Sequence, residues 1–257
     1  MRIIVLINQI LDPSGMTVNR RAQQVFVNRR EYILNPADLS AVEAALQVRD
    51  AAGGDVTIVG LGPERVVESI RQALSMGADQ GLAIIDESGA AADPAVRARL
   101  LAAAVRKAGP FDLVLTGDRV LDSDGGQIGP RVAELLDLPQ LISVETVACQ
   151  ENRAEAIRST ETGYQRVEAP LPVLATLPPD ANRPRFGTAQ RIVNVYRDQS
   201  AVKCLSPADL DPTGEASSPQ TRSGGRGYPT PREPGTRLEG TVEEITGRLV
   251  TALGLGA

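Results

Sequence analysis

The sequence predicts an α/β protein with a mostly parallel, open sheet flanked by helices in a Rossmann-like arrangement. Short apolar runs alternate with longer amphipathic segments over the first two-thirds of the chain, as strands alternate with crossover helices in such sheets. The apolar content of 42% is sufficient for a packed interior. The length of 257 residues allows one large domain with an appendage.

Five short aliphatic runs are the predicted strands. Each is rich in β-branched or other aliphatic residues along its whole length, which is typical of strands that are buried on both faces. They cover residues 3–7, 56–59, 82–85, 113–116 and 173–177.

Four amphipathic segments between these strands predict helices, because their apolar residues recur every three or four positions. Asp38 is a good N-cap for the first helix, Pro63 opens the second, and Gly77 is placed to end it. Residues 94–108 form the third helix. The periodic apolar residues are Leu39, Val42 and Leu46 in the first helix, Val66, Val67, Ile70, Ala73 and Leu74 in the second, and Ile128, Val132, Leu135 and Leu136 in the fourth.

A hairpin follows the fourth helix. Residues 157–161 and 164–168 flank Thr162-Gly163, which indicates two antiparallel strands joined by a tight turn. We therefore expect a mixed sheet.

The last quarter of the chain differs in composition. Residues 1–198 form the predicted α/β domain, and from residue 199 Pro, Gly, Ser, Thr and Arg dominate, which indicates an extended arm. Thr241 and Glu244 form a capping box that starts a short terminal helix. This helix is expected to pack on its own domain or on a partner chain.

Composition excludes several functions. The sequence has no histidine, so it has no Ser/His/Asp group and no histidine metal site. Its two cysteines, Cys149 and Cys204, form no C-x-x-C pair, and its net charge of -5 gives no general attraction to nucleic acid. No apolar run approaches the length of a membrane span. We expect a soluble, cytoplasmic protein without a bound metal, a nucleic-acid partner or an inserted segment.

The densest candidate site is T-G-D-R-V-L-D-S-D-G-G-Q-I-G-P at residues 116–130, which covers a strand end, a loop and a helix start. Ligands of open α/β sheets gather at this edge, and a helix N-terminus attracts phosphate. Gly125 and Gly126 would let the backbone approach a phosphate, and Gln127 offers an amide donor. The segment is neither a G-x-G-x-x-G nor a P-loop motif.

Two acidic residues of this loop oppose phosphate binding. Asp122 and Asp124 repel a phosphate unless they point at ribose hydroxyls, backbone donors or solvent. A loop that merely closes a βα unit therefore stays an alternative. Acid/base hydrolysis by the two aspartates is a weaker one, because nothing in the sequence places a substrate between them.

A basic loop follows the fifth strand. Its sequence is N-R-P-R-F-G-T at residues 182–188. Arg183 and Arg185 either form a solvated face or meet an acidic partner surface.

Five features occur in an order that resembles the beta subunit of electron-transferring flavoproteins. They are Asn35-Pro36 before a helix, Gly62-Pro63, A-L-S-M-G-A-D at residues 73–79, the loop at residues 122–130, and N-R-P-R at residues 182–185. The resemblance covers residues 1–198 and, more loosely, the arm. It implies an adenine nucleotide-binding domain that pairs with an alpha subunit carrying FAD, whose flavin passes electrons from dehydrogenases to an acceptor such as a quinone-linked protein.

The resemblance also implies the site residues. The cofactor contacts would be Leu6, Asn35, Pro36, Ala37, Asp38, Leu61, Gly117, Asp122, Ser123, Asp124, Gly125, Gly126, Gln127 and Ile128. The partner contacts would be Arg183, Arg185 and Ala189, although Ala189 stands where the family usually presents a leucine that anchors the dehydrogenase.

The nucleotide in the beta subunit is AMP in ordinary members and a second FAD in electron-bifurcating members, where it accepts hydride from NADH. The loop is similar to the D-G-D-T-A-Q-V-G-P pattern of the second class, so FAD is preferred here, with AMP as the alternative. Gly125 and Gly126 replace the Thr and Ala of that pattern. Whether the chain takes part in NADH oxidation stays open, and a nucleotide-sensing module that binds AMP or ATP without redox work is the competing hypothesis.

Overall fold

The computed structural model describes residues 1–88, 93–123, 125–211, 214, 219–221, 228–230, 232 and 235–255. Its strands are β1 (Arg2–Ile7), β2 (Gln9–Leu11), β3 (Met16–Asn19), β4 (Gln24–Val27), β5 (Tyr32–Leu34), β6 (Asp55–Gly62), β7 (Gln80–Ile85), β8 (Leu113–Gly117), β9 (Gln140–Leu141), β10 (Val144–Gln150), β11 (Arg153–Thr160), β12 (Gly163–Pro170), β13 (Val173–Leu177) and β14 (Val202–Leu205). Its helices are α1 (Pro36–Ala52), α2 (Val66–Met76), α3 (Pro94–Ala108), α4 (Ile128–Leu136), α5 (Ala189–Arg197) and α6 (Val242–Ala252).

The central sheet confirms the predicted fold class. Within the described residues it has seven strands in the order β14-β7-β6-β1-β8-β13-β9, and every neighbouring pair is parallel. The five predicted strands are β1, β6, β7, β8 and β13. The sequence did not indicate β9 and β14, which have only two and four residues.

Two helical layers cover the two faces of this sheet. Alternate residues of β1 point to opposite faces, so Ile3 and Val5 pack with α1 and α2, whereas Ile4 and Leu6 pack with α3 and α4. Each face therefore has its own apolar core, which explains why the strands are aliphatic throughout.

Two predicted helix starts were wrong. Helix α1 begins at Pro36 with Asn35 as its N-cap, so Asp38 lies inside the first turn, where its side chain bonds to neighbouring strand ends. Pro63 lies in a turn, where its carbonyl accepts a hydrogen bond from the N–H of Val66. Helix α2 begins only at Val66. Gly77 ends α2 as predicted, with a φ of 139° that favours glycine.

The predicted hairpin is present, but the mixed sheet was a wrong expectation. Strands β11 and β12 pair with each other and with β10 in a separate antiparallel sheet, while the central sheet stays wholly parallel. The small sheet buries only part of one face, through Val144, Ala154 and Ala156 against the α1 side of the core. Its other side chains are largely exposed, so it could not replace a doubly buried central strand.

Residues beyond the predicted boundary contribute to the sheet. Strand β14 pairs in parallel with β7 and forms one edge. The capping box at the start of α6 is confirmed, because Thr241 Oγ1 accepts from the Glu244 N–H and Glu244 Oε2 accepts from the Thr241 N–H at 3.0 Å. None of the helices in the described ranges has both the length and the apolar composition needed to cross a membrane.

Helix α2 lies very close to β7 at Gly81, which gives a test of the packing. A Cβ at Gly81 would lie 2.6 Å from Ile70 Cγ2. Gly81→Ala should therefore lower the free energy of unfolding by about 1–3 kcal/mol through overpacking. Ile70→Leu removes that methyl branch, so the double variant should lose less stability in urea denaturation than the sum of the single variants. Additive losses would contradict this packing.

Candidate functional site

The order of the strands creates a crevice between β1 and β8. The chain runs from β1 to β6 and β7 on one side and then crosses to β8 on the other side of β1. In open α/β sheets, ligands bind outside the carboxyl ends of the strands where the direction of winding reverses. The residues after β1, the loop after β8 and the start of α3 meet at this point.

A pocket of about 260 Å³ opens there. Five predicted site residues line it, together with others that the sequence analysis did not select. The lining residues are Asp122, Ser123, Gly125, Gln127 and Ile128 from the predicted set, and Asn8, Gln9, Pro94, Arg97 and Val120 in addition. The structure therefore brings the loop of residues 122–128 to the strand ends, as expected, with Asp124 lying outside the described residues.

The carboxylate of Asp38 joins the two strands below the pocket. Its Oδ1 accepts from the N–H of Gly117 at 2.7 Å, and its Oδ2 accepts from the N–H and the side-chain amide of Asn8 at 2.8 and 3.0 Å. Burial raises the pKa of Asp38 to about 6, and the hydrogen bonds from Gly117 and Asn8 oppose this rise. At neutral pH the group is a buried carboxylate that fixes the crevice.

The remaining predicted contacts support the pocket without lining it. Leu6, Ala37 and Leu61 are buried in the core. The side-chain amide of Asn35 donates to the Arg119 carbonyl at 2.9 Å, and its Oδ1 accepts from the Leu121 N–H at 3.2 Å. Pro36 is the first residue of α1. Asn35 therefore anchors the loop after β8.

The loop closes on itself through backbone contacts. The N–H of Val120 donates to the carbonyl of Gly125 at 3.0 Å. A Cβ at Gly126 would lie 2.8 Å from the carbonyl oxygen of Asp118, whereas one at Gly125 would meet only Ser123 Oγ at 3.5 Å. Gly126 is therefore required for loop closure, and Gly125 is the glycine that lines the pocket.

The first turn of α4 faces the pocket through Ile128. No hydrogen bond from the Gln127 side chain caps this helix. The Oε1 of Gln127 instead accepts from Nε and Nη2 of Arg131 at 3.2 and 3.1 Å. Gly129 lets the helix approach β13, because a Cβ there would lie 2.6 Å from Thr176 Cγ2. The backbone N–H groups at this helix start can face an anion.

Arg97 is the charged side chain among the five lining residues that the sequence did not indicate. It lies in the first turn of α3, and its Nη1 donates to Asn8 Oδ1 at 2.6 Å and to the Leu61 carbonyl at 3.2 Å. A basic residue near a helix N-terminus opposes the helix dipole, and this placement was the available signal.

The predicted partner residues lie elsewhere. Arg183 and Ala189 are exposed. Arg185 binds acidic groups of its own chain, with Nε 2.9 Å from Glu43 Oε2 and Nη1 2.7 Å from Asp50 Oδ2. Burial raises the pKa of Glu43, but the bonds from Arg185 outweigh it and the net shift is downward. A partner role for the three residues stays a prediction.

The fold and the pocket define an open, Rossmann-like α/β protein with a ligand-sized cleft at its topological switch point. The family described as "electron transfer flavoprotein domain" matches residues 23–202. The chain belongs to the electron transfer flavoprotein family, as a beta subunit.

Relatives match over nearly the whole chain. The electron transfer flavoprotein subunit beta of Thermoanaerobacterium thermosaccharolyticum is 32% identical over 257 residues, which cover 98% of both chains. The caffeyl-CoA reductase-Etf complex subunit CarD of Acetobacterium woodii is 30% identical over 256 residues, again 98% of both. Protein FixA of Sinorhizobium fredii is 33% identical over 269 residues, covering 98% of this chain and 93% of FixA. These matches include the arm.

The two loop glycines form a matched pair for mutation. Gly126→Ala should lower the free energy of unfolding by about 1–3 kcal/mol, because its Cβ meets a backbone carbonyl that cannot move alone. Gly125→Ala should be neutral or stabilise by up to about 1 kcal/mol. Urea denaturation of both variants measures the difference, and equal effects would contradict the loop geometry.

The pKa of Asp38 gives a prediction for stability against pH. The pKa of an unfolded aspartate is about 3.9, so between pH 6 and pH 4 only the folded chain binds this proton. The contribution of Asp38 to stability therefore rises as pH falls through this window, by up to about 1.4 kcal/mol per pH unit, and is lost as pH rises through 6.

Asp38→Asn removes the titration and places its amide NH2 group against the donors of either Gly117 or Asn8, since only one of the two side-chain oxygens remains. It should cost about 1–3 kcal/mol at pH 7. The gap in unfolding free energy between the wild type and this variant should widen from pH 6.5 to pH 4.5. A gap that stays constant or narrows would disprove the raised pKa.

Proposed function

We propose that the chain binds an adenine nucleotide in the pocket between β1 and β8 and, with an alpha subunit that carries FAD, transfers electrons from dehydrogenases or NADH to an acceptor. The observation that carries this proposal is the position of the loop of residues 122–128. It meets the end of β1 and the start of α3 in a single pocket at the switch point of the sheet.

The lining residues suit the parts of a nucleotide. The N–H groups at the start of α4 and the guanidinium of Arg97 are donors for a phosphate. Asp122, an exposed carboxylate on the rim, suits the ribose hydroxyls. The lining therefore offers hydrogen-bond donors to the phosphate and, at a different residue, an acceptor to the sugar.

The size of the pocket supports binding of one half of a larger cofactor. Pockets that enclose a drug-sized ligand measure about 300–1,000 Å³, so about 260 Å³ suits a single nucleoside phosphate. FAD, our preferred ligand, is larger than this pocket, so the lining residues would hold only part of it, and its AMP half matches the donors described above. A bound FAD supplies a flavin that exchanges electrons or hydride, and the protein supplies its position and electrostatic surroundings.

The arm offers contacts for the alpha subunit. Helix α6 has no buried residue in the described chain, and Val242 and Leu249 on the helix and Leu253 directly after it are exposed. Pairing with an alpha subunit would bury these apolar side chains, which supports the two-subunit assembly.

The number and identity of the nucleotides bound to the two-subunit protein test the proposal. The chain is co-expressed with its alpha subunit, the complex is denatured, and the nucleotides that it releases are counted. We expect two FAD per heterodimer. One FAD and one AMP would support a simple electron carrier and contradict the preference for FAD. The absence of any adenine compound attributable to the beta subunit would contradict nucleotide binding altogether.

A pair of variants assigns the nucleotide to this pocket. Ile128→Asp introduces a carboxylate into the pocket lining, where it repels phosphate, so one nucleotide per heterodimer should be lost. Leu121→Asp is the control, because this exposed residue of the same loop is not among the lining residues. Retention of both nucleotides by Ile128→Asp would place the site elsewhere.

A further inference from the structure

We propose that Asp93 holds the C-terminal arm against the start of α3, and that this contact stabilises one wall of the nucleotide pocket. The contact of Asp93 with Gln220 and Thr221 is called the arm latch. A nucleotide in the pocket should tighten the arm latch, and a looser latch should weaken nucleotide binding. This inference rests on the proposed nucleotide site and adds a link between that site and the arm.

The two carboxylate oxygens of Asp93 bind two segments that are far apart in the chain. Oδ1 caps α3 by accepting from the N–H groups of Ala95 and Val96 at 2.7 and 3.1 Å. Oδ2 accepts from the N–H groups of Gln220 and Thr221 at 3.0 and 2.7 Å, and from Thr221 Oγ1 at 2.6 Å. One side chain therefore joins a helix start to the arm.

The charge of Asp93 strengthens these contacts. The hydrogen bond from the Thr221 hydroxyl is the main cause that places the pKa of Asp93 well below its usual range, although burial opposes this shift. The group is therefore a carboxylate at neutral pH, and hydrogen bonds to a charged acceptor are stronger than those between neutral groups. The side chains of Gln220 and Thr221 are exposed, so hydrogen bonding rather than apolar burial holds this part of the arm.

The arm also contacts α3 at its other end. Lys107 Nζ, in the last turn of α3, donates to the carbonyl of Asp209 at 2.9 Å. Leu210 packs against the core on the α3 side of the sheet. Asp209 and Thr221 therefore mark the ends of a stretch in which the arm passes from the last turn of α3 to its first turn. This path brings the arm back to the edge of the sheet where the nucleotide pocket lies.

The arm latch lies directly beside the lining of the nucleotide pocket. Pro94, the residue after Asp93, and Arg97, one turn further on, both line the pocket. The N–H of Arg97 donates to the Asp93 carbonyl at 3.0 Å. Asp93 therefore fixes the first turn of α3 through its backbone as well as through its side chain.

A groove between α3 and α4 runs beside the same wall. Its volume is about 400 Å³, and its lining includes Ala95 and Ala98 of α3, Pro130 and Leu135 of α4, and Gln220 of the arm. Both helices begin at the nucleotide pocket. The arm therefore lies beside the two helices whose first turns line that pocket.

The link between the arm and the pocket follows from a shared conformational equilibrium. With the arm latch closed, the first turn of α3 is tied to the arm and has fewer accessible conformations. A nucleotide that binds an already ordered wall loses less conformational entropy, so the closed state binds it more tightly. Because such coupling is reciprocal, the nucleotide also lowers the population in which Gln220 and Thr221 are released.

The test measures the arm latch and the nucleotide separately on the two-subunit protein. AMP is the probe, after the nucleotide of the beta subunit has been removed. Hydrogen exchange at the amides of Gln220 and Thr221, followed by mass spectrometry, reports opening of the latch, and calorimetric titration reports the affinity for AMP. In the wild type, AMP should slow exchange at these amides by at least about threefold.

Thr221→Val and Thr221→Ser form a matched pair. Thr221→Val removes a donor from the arm and leaves Asp93, the cap of α3 and the pocket lining unchanged. It should speed exchange about tenfold and weaken AMP binding about threefold to tenfold. Thr221→Ser keeps the hydroxyl, so both quantities should stay within about twofold of the wild type.

A variant of Asp93 and a distant control separate the arm latch from the helix cap. Asp93→Ser keeps an N-cap, because serine caps helices about as well as aspartate, but it leaves no second oxygen for the arm. It should weaken AMP binding at least as much as Thr221→Val, and the double variant should lose no more than Asp93→Ser alone. Lys107→Gln removes the contact at the far end of α3 and should change neither the exchange nor the affinity.

Faster exchange in Thr221→Val with an unchanged affinity for AMP would mean that the arm latch is independent of the pocket, and would overturn the proposal. Unchanged exchange in both Thr221→Val and Asp93→Ser would overturn the latch itself. Failure of the wild type to bind AMP would contradict the nucleotide site and its link to the arm, whereas exchange at residues 220 and 221 would still test the latch. Thermal melting of each variant identifies any loss that comes from unfolding.

Discussion

The carboxylate of Asp38 is the interaction on which the site depends. It joins the ends of the neighbouring strands β1 and β8, where the winding of the sheet reverses. A buried charge is costly unless it is fully bonded, and this one accepts hydrogen bonds from both strand ends. The same carboxylate fixes Asn8, which in turn contacts Arg97. The floor of the pocket and its cation are therefore coupled through one group.

The elements that were predictable from the sequence are those specified by local patterns. Strands such as β1 are aliphatic throughout because both faces are covered, and Gly77 marks a helix end because of its positive φ. The loop of residues 122–128 was found because glycines between a strand and a helix are a local signal. Its place at the pocket followed from the general rule for parallel sheets.

The features that were missed depend on contacts between distant segments. Asp38 looks like a helix cap in the sequence, and only the approach of Gly117, far along the chain, gives it a different role. Arg185 looks like a solvated or partner-facing residue, but Glu43 and Asp50 of α1 bind it from more than a hundred residues away. Arg97 belongs to a helix with an apolar face, and its place in the pocket depends on which strand ends lie beside that helix. Long-range pairing of polar groups leaves no periodic trace in a sequence.

Strand β14, at the beginning of the arm, also covers one edge of the central sheet. The outer edge of β7, with six mostly buried residues, would otherwise expose unpaired backbone groups that can recruit strands from other molecules. Strand β14 covers that edge with four residues and presents the charged side chain of Lys203, which is a poor template for further pairing. The segment that leads away from the domain thus covers a sheet edge that would otherwise be open to pairing with strands of other molecules.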